Sequence, residues 1–166
     1  PNGALDRFTY GNGLQHKITL NNRQLPERLQ TSSFENTVLH YEYRYDLQDN
    51  LTSITDHLNS DYSLTNLRYD GLDRLTGTTG NAGIGSSALQ YDGLGNITGY
   101  TSKNSSLDYH YNTANNRLDS VTGTKPYSFQ YTDGRGNVTH NGSRSFTFNR
   151  ANQITHSGSN NYTYDG

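Results

Sequence analysis

The chain has 166 residues and a formal net charge of -2, from 13 Lys and Arg against 15 Asp and Glu, so neither nucleic acid nor an anionic membrane is an expected partner. Only 30% of the residues are hydrophobic, but 14 Tyr and 5 Phe recur at regular intervals, which argues against disorder. We therefore expect an ordered protein with a small core, built on one sheet that shields a single face.

Residues 1–36 contain the divergent copies of a repeated pattern. One alternating segment runs from Phe8 to Leu14, and a second runs from Leu20 to Leu29. Within the second, Pro26 suits an edge strand or a loop, because proline cannot donate to a sheet ladder. Strands are predicted in both segments.

Residues 37–166 repeat one unit clearly: an aromatic residue, a turn residue, two variable residues, a second turn residue and an aliphatic residue. The anchor and turn residues that define it are Tyr45, Asp46, Tyr69, Asp70, Tyr91, Asp92, Gly95, Tyr111, Tyr131, Gly136, Phe148 and Tyr164. The spacing between successive anchors falls from 24 to 16 residues, by subtraction of those positions. Residues 1–166 are thus predicted to form a single repeat array whose last repeat is truncated.

Each anchor is predicted to end a strand and to begin a turn. An apolar residue precedes every anchor by two positions, and this period indicates a strand with one buried face. The turn has Asp or Asn first and a residue that tolerates positive φ fourth, which is typical of a type I turn in a bulged hairpin. In the longer copy after Tyr111, either Asn115 or Asn116 takes the left-handed place, and Thr132 is a candidate β-bulge.

The aliphatic residue begins a return strand, so one repeat forms one antiparallel hairpin. Loops of decreasing length join the hairpins, down to Asn141-Gly142, a two-residue hairpin signal. We predict an all-β fold of tandem hairpins: one continuous, curling antiparallel sheet of about 12–16 short strands in sequence order, with the anchors on one face. Very little helix is expected, because no segment has a helical stripe of apolar residues.

Several copies resemble the RHS, or YD, repeat. Tyr-Asp-Gly-Leu-Asp-Arg-Leu-Thr at 69–76 and Tyr-Asp-Gly-Leu-Gly-Asn-Ile-Thr at 91–98 are similar to its core, and the segments 10–14 and 115–118 resemble its recurrent variants. The resemblance extends from about Phe8 to the end of the chain. Proteins with this repeat include bacterial polymorphic toxins, the cocoon-forming subunits of insecticidal Tc toxins and the teneurin cell-surface proteins.

The resemblance implies a function as well as a fold. It implies a β-ribbon that spirals into a hollow shell, and hence a structural wall segment of a secreted or cell-surface protein that encapsulates a toxin or another C-terminal polypeptide. The implied partners are flanking RHS repeats and the enclosed polypeptide. Since the sequence shows no variable toxin region and no Asp-Pro-containing core, self-cleavage and toxicity are not carried over to it.

No residue cluster predicts catalysis, a cofactor or a metal, and we expect no enzyme. The six histidines lack a His-Glu-x-x-His pattern. His140 and His156 occupy corresponding positions in their repeats, where solvent-facing side chains are favoured and stacking between neighbouring hairpins is the alternative. Asp133 begins a segment like a calcium loop, but Arg135 stands at a ligand position, so a turn is favoured. The segment 83–88 fits a dinucleotide fingerprint only formally, since no strand precedes it and no helix follows.

The tyrosines leave two interpretations open. Rows of Tyr hold a sheet together through cross-strand contacts, or they offer stacking faces to sugars. The structural role is favoured because every hairpin needs such a contact, and a cell-surface carbohydrate-binding repeat module is the alternative. Membrane insertion is not expected, because no stretch approaches about 20 apolar residues. Without cysteine, disulfides and thiolate metal sites are excluded.

Open sheet edges are expected at both ends of the array. The sequence stops inside a repeat at Tyr164, contains no methionine, and shows no capping unit of the kind that repeat arrays need. It is therefore predicted to be either processed or excised from a longer polypeptide. The last strand, predicted at 161–164, and the strands near Phe8 would present unpaired backbone groups, so self-association of copies is expected.

Overall fold

A computed structural model describes residues 6–165 and confirms the all-β prediction. Within these residues there is no α-helix, and one 3-10 turn lies at Ser60–Tyr62. The strands are β1 Arg7–Thr9, β2 Gln15–Leu20, β3 Pro26–Ser32, β4 Thr37–Tyr45, β5 Leu51–Asp56, β6 Leu64–Tyr69, β7 Leu75–Gly80, β8 Ser87–Tyr91, β9 Ile97–Ser102, β10 Ser105–Tyr111, β11 Leu118–Gly123, β12 Tyr127–Ser128, β13 Phe146–Phe148, β14 Ile154–Ser157 and β15 Asn160–Asn161.

The strands form two sheets in which sequence neighbours pair. Strands β1 to β12 make a twelve-stranded sheet in sequence order, and β13 to β15 make a three-stranded sheet. The prediction of sequential hairpins is confirmed, but the prediction of one continuous sheet is wrong. Between β12 and β13 the described chain has only isolated bridges, Gln130–His140 and His140–Ser145. In this segment two turns, with positive φ at Gly136 and at Gly142, lie close together in the sequence. Few residues remain between them to form strands.

A β-bulge recurs where an anchor meets its return strand. Arg44 pairs with Ser53, but Tyr45 pairs with Leu51, so Thr52 is the extra residue. The same shift occurs at three further anchors, Tyr69, Tyr111 and Phe148. The predicted bulged hairpin is therefore confirmed, and the extra residue lies in the return strand.

Two expectations about single strands are wrong. Pro26 lies neither in an edge strand nor in a loop, since it is the first residue of β3, which pairs with β2 and β4. The first position of a strand tolerates proline because the ladder hydrogen bonds begin after it. The strand predicted at 161–164 is instead β15, Asn160–Asn161, and the Tyr162 N–H donates to the Thr155 carbonyl beyond it.

The Asn141-Gly142 signal marks a hairpin, but the turn is displaced by one residue. The Asn141 N–H donates to the Arg144 carbonyl at 3.1 Å, and Gly142 has a φ of 84°. The central residues are therefore Gly142 and Ser143. Glycine at the first central position is the arrangement of a type II′ hairpin turn.

The core is small, as the composition predicts. The Cα positions cluster into two compact units, residues 1–89 and 90–166. In residues 6–165 the buried hydrophobic side chains are Leu67 in the first unit, 9% exposed, and Val121 in the second, 4% exposed. Shielding alternates along the strands; in β10, for example, Leu107, Tyr109 and Tyr111 are less exposed than the residues between them. Hydrogen bonds therefore carry much of the specificity of this fold.

Candidate functional site

Each regular turn is closed by the side chain of its first residue. After Tyr69, Asp70 Oδ1 accepts hydrogen bonds from the backbone N–H groups of Leu72 at 2.9 Å and Arg74 at 3.1 Å. The same pair of contacts is made by Asn21, Asp46, Asp92 and Asn149. Asp or Asn is required at this position because its side chain satisfies backbone donors that the turn leaves unpaired.

The fourth turn residue has the predicted left-handed backbone. The φ values are 67° at Asp49, 58° at Asp73, 89° at Gly95, 91° at Gly136 and 60° at Asn152. In the longer turn after Tyr111 the left-handed residue is Asn116, with a φ of 56°, rather than Asn115. Thr132 is not a bulge, because it lies in a turn outside any strand, where its N–H donates to Thr139 Oγ1.

Hydrogen bonds favour the ionised form of three turn carboxylates, Asp70, Asp92 and Asp133. A side-chain hydrogen bond from Arg74 lowers the pKa of Asp70, and one from Asn96 lowers the pKa of Asp92. For Asp133, burial raises the pKa, but hydrogen bonds from Arg135 and Asn137 outweigh it and the net shift is downward. A carboxylic acid that donates protons at neutral pH needs a raised pKa, so these groups are suited to accepting hydrogen bonds instead.

Neighbouring turns are joined by the residue that precedes the aliphatic position. In the first unit, Asn50 Nδ2 donates to Asp73 Oδ1 at 2.8 Å. In the second unit, Asn96 donates to Asn116 at 2.8 Å, and Asn137 donates to Asn152 at 2.9 Å. The acceptor is always the left-handed residue of the following turn. These contacts form side-chain bridges between neighbouring turns within each unit.

Arginine replaces asparagine at this bridging position in alternate repeats, and a glycine then stands where the acceptor residue stands elsewhere. Arg117 faces Gly136, where an added Cβ would lie 3.1 Å from its guanidinium nitrogen. In the sequence, Arg74 is likewise followed one repeat later by a glycine, Gly95. A small partner follows the large side chain, since the guanidinium fills the space that an Asp or Asn side chain takes elsewhere.

The hydroxyl of the anchor tyrosine reaches the preceding repeat. Tyr69 donates to the Leu51 carbonyl at 2.8 Å, and Tyr111 donates to the Ile97 carbonyl at 3.0 Å. Corresponding bonds run from Tyr45 to Pro26, from Tyr131 to Leu118 and from Tyr164 to Ile154. In each of these bonds the acceptor is the first residue of the return strand of the preceding repeat. Phe148 occupies the same position without a hydroxyl.

Burial further favours the protonated form of these phenols. It is the largest cause that raises the pKa of Tyr45, Tyr69, Tyr111 and Tyr131 above the ordinary tyrosine value. Nearby carboxylates raise the pKa further, Asp46 for Tyr69 and Asp92 for Tyr111. The hydroxyls are therefore hydrogen-bond donors at neutral pH.

A histidine pair exists, but not the pair suggested by the repeat. The rings of His40 and His57 lie 4.4 Å apart, and His57 Nε2 lies 3.3 Å from Glu42 Oε2. Burial, and then the charge of His57, lowers the pKa of His40, while the hydrogen bond from His57 lowers the pKa of Glu42. His140 and His156 contact Gly142 and Thr147 respectively.

The described residues offer no recognisable metal or nucleotide site. No group of three or more His, Cys, Asp or Glu side chains in residues 6–165 is placed to hold a metal ion. The Asp133 carboxylate accepts hydrogen bonds from Arg135 and Asn137, as a turn requires. In the segment 83–88, the N–H groups of Gly83 and Ile84 both donate to the Asp61 carbonyl. No helix in the described part of the chain is long and apolar enough to span a membrane.

Comparison with known proteins places the fold near toxin chains. No protein-family profile and no curated protein sequence matches this chain. Among solved structures, it is similar to the crystal structure of TcdB2-TccC3 without the hypervariable C-terminal region, with 9% identity over 93% of this chain and a TM-score of 0.56. It is also similar to a chain of the Photorhabdus luminescens Tc holotoxin pore, with 14% identity over 91% of this chain and a TM-score of 0.50. In both cases the chain spans 12% of the matched chain.

Proposed function

We propose that this chain is a non-catalytic wall segment of a larger, toxin-associated shell protein. The observation that carries the proposal is the tyrosine contact between repeats, seen for example from Tyr69 to Leu51 and from Tyr131 to Leu118. A polar contact that joins one hairpin to the preceding one and recurs along the chain suits a continuous wall, since such repeats depend on their neighbours. The fold similarity to the Tc toxin chains supports the same assignment.

In this proposal, flanking repeats extend the sheet and the wall encloses a polypeptide, such as a C-terminal toxin segment, in a secreted or cell-surface protein. The small core supports it. With Leu67 and Val121 as the buried hydrophobic side chains of residues 6–165, the apolar face needs further polypeptide to shield it. Flanking repeats and an enclosed chain both provide such cover.

The tyrosine geometry supports the structural role over carbohydrate binding. The anchor hydroxyls of Tyr45, Tyr69, Tyr111 and Tyr131 are used as donors to backbone carbonyls. Sugar recognition through these hydroxyls would have to break the contacts that join their hairpins to the preceding ones. We therefore do not adopt the carbohydrate-binding alternative.

Electron microscopy of the intact polypeptide that carries these repeats tests the proposal. The expected image is a hollow particle with internal density, and limited proteolysis should cut the enclosed polypeptide only after the wall is loosened. Replacing Tyr69 and Tyr111 together by Phe is the loosening variant. A solid particle without a cavity, or an inner segment that is cut as fast as exposed loops, would contradict the proposal.

A further inference from the structure

The turn at residues 141–144 surrounds one asparagine side chain with a base and several donors. The Gly142 N–H donates a 2.9 Å hydrogen bond to Nδ1 of His140. Asn141 Oδ1 accepts from the Ser143 N–H at 3.2 Å, from Ser143 Oγ at 3.1 Å and from the Arg144 N–H at 2.9 Å. Gly142 and Ser143 are exposed, so water reaches the turn.

These contacts match the needs of asparagine cyclisation. In that reaction the peptide nitrogen after an asparagine attacks the side-chain carbonyl carbon, and the side-chain nitrogen leaves as ammonia. The step is slow because the peptide N–H must lose its proton while the side-chain oxygen gains negative charge. A general base within hydrogen-bond reach of the N–H and donors aimed at the oxygen are the groups that accelerate such a step. A glycine at the attacking position adds no side chain in the way.

We propose that Asn141 is a self-modification site, at which His140 and the turn promote deamidation. Nδ1 of His140 accepts the proton of the Gly142 nitrogen, which bonds to Cγ of Asn141 while the donors from Ser143 and Arg144 stabilise the negative Oδ1. The Cγ–Nδ2 bond then breaks, and the imidazole returns its proton to the departing nitrogen, which leaves as ammonia. Water opens the resulting succinimide at either carbonyl and gives aspartate or isoaspartate.

The tautomer required of His140 follows from the hydrogen bond itself. A backbone N–H can only donate, so Nδ1 is the unprotonated nitrogen and the imidazole carries its proton on Nε2. The base therefore already points at the proton that it must remove. No bound metal or cofactor enters the reaction, and its only co-reactant is water.

A second Asn-Gly pair in the chain is a matched comparison. The Gly13 N–H donates to the Tyr10 carbonyl at 2.9 Å, and Asn12 Oδ1 accepts from the Leu14 N–H at 3.3 Å. The dipeptide is the same as at Asn141, but the N–H points to a carbonyl, which is not a proton acceptor of useful strength. Any difference in rate between the two pairs in the folded protein therefore reports on the surroundings.

Deamidation would change the hairpin in which it occurs. Both products add a negative charge, and isoaspartate also adds a methylene group to the main chain next to the His140–Ser145 bridge. The isolated bridges in this region have no long ladder to support them, so the modified hairpin should open more readily. Deamidation at this site would then slowly destabilise one hairpin of the second unit as the protein ages.

Peptide mapping by mass spectrometry tests the proposal on the folded, wild-type chain during incubation at neutral pH. The measured quantities are the deamidation rates of Asn141 and Asn12, followed by the mass increase when the side-chain amide becomes a carboxylic acid. Asn141 should react at least about tenfold faster, a cautious figure for general base assistance. In denaturant the two rates should converge, because the hydrogen bonds are then absent and only the shared Asn-Gly dipeptide remains.

Two variants separate the base from the donors. His140→Gln should remove most of the excess rate at Asn141 over Asn12, and Ser143→Ala should lower the rate less, because the base and the two backbone donors remain. Equal rates at the two sites in the folded protein, or a rate at Asn141 that rises on denaturation, would overturn the proposal. The wild-type comparison in denaturant keeps the test decisive even if His140→Gln weakens the fold.

Discussion

The Tyr131 hydroxyl lies 2.9 Å from the Leu118 carbonyl and donates a hydrogen bond to it across the boundary between two repeats. The acceptor lies at the bulge, where the extra residue interrupts the ladder of the preceding hairpin. Each such bond satisfies a carbonyl group at an irregular position of the sheet. It also fixes the position of one repeat relative to the preceding repeat. The hydroxyl, and not only the ring, therefore explains why tyrosine recurs at the anchor.

Removing one hydroxyl should weaken the array measurably. In Tyr69→Phe the ring remains but the Leu51 carbonyl loses its donor, so the free energy of unfolding should fall by about 1 kcal/mol, the usual net value of one hydrogen bond. Urea unfolding followed by circular dichroism measures it. Tyr62→Phe is the control, because Tyr62 is 55% exposed, and it should change stability by less than about 0.5 kcal/mol. Equal effects of the two substitutions would show that the hydroxyl contact has no energetic role.

The local features of the fold are predictable from the sequence. The contacts between repeats are not, and the reason is physical. The period of two before each anchor and the Asp or Asn at the turn predict the hairpins, the left-handed residues and the bulges, because local chemistry determines them. The partner of the Tyr69 hydroxyl lies in another repeat, so no local pattern points to it. The recurrence of Tyr rather than Phe was the available signal, since a purely apolar role would accept either residue.

Long-range pairing also explains the other errors. The ring pair of His40 and His57 joins β4 to the residue that follows β5, and only the observed register brings the rings together. The break in the sheet before β13 depends on how many residues remain between two turns that both need glycine. The repeat pattern continues through Tyr131 and Phe148, so periodicity alone predicts a continuous sheet there.

The bridge between neighbouring turns should appear as a coupling energy. Asn50→Ala and Asp73→Ala each remove one partner of the 2.8 Å hydrogen bond, and the double variant should lose less than the sum of the two by about 0.5 kcal/mol. A double-mutant cycle from urea unfolding measures this coupling. Gln48→Ala, at an exposed position, provides the control, because its effect on the free energy of unfolding should add to that of Asp73→Ala without coupling. A coupling of zero would mean that the bridge from Asn50 to Asp73 makes no contribution to stability.

Stability should fall on acidification because of the turn carboxylates. Hydrogen bonds in the folded chain lower the pKa of Asp92 below the unfolded value of about 3.9, so its contribution is present above that pH and is lost as the pH falls through the folded pKa. Asp92→Asn removes the titrating group. Its stability should therefore approach that of the wild type at low pH and differ from it at neutral pH. Unfolding midpoints across this range measure the effect. A stability difference between Asp92→Asn and the wild type that stays the same at every pH would contradict it.

Self-association of copies through open sheet edges remains a prediction, and the structure shows which strands form those edges. The edge strands of the large sheet are β1, with three residues, and β12, with two residues. Short edges offer few unpaired backbone groups, so association should be weak and should increase steadily with concentration. Sedimentation velocity over a wide concentration range measures it. A tight dimer at the lowest concentrations, or a monomer at all of them, would contradict this expectation.

The alternation between asparagine and arginine bridges predicts a compensating exchange. Gly136→Asn should destabilise the fold, because the new Cβ would lie 3.1 Å from the Arg117 guanidinium and the residue must hold a φ of 91°. The left-handed backbone alone costs a non-glycine residue about 1 kcal/mol. Arg117→Asn should also weaken the fold, because the guanidinium carbon lies 5.3 Å above the Tyr131 ring.

The double variant, Arg117→Asn with Gly136→Asn, should recover part of this loss by recreating the pairing that joins Asn96 to Asn116 at 2.8 Å. Its destabilisation should be smaller than the sum of the single effects by about 0.5–1 kcal/mol, the net value of one hydrogen bond. Gly136→Ala is the matched control, because it introduces the same Cβ but no amide to accept the bond, so Arg117→Asn should relieve its crowding without adding a bridge. If the asparagine and alanine variants are rescued equally, steric fit alone sets the alternation, and the polar bridge makes no separate contribution.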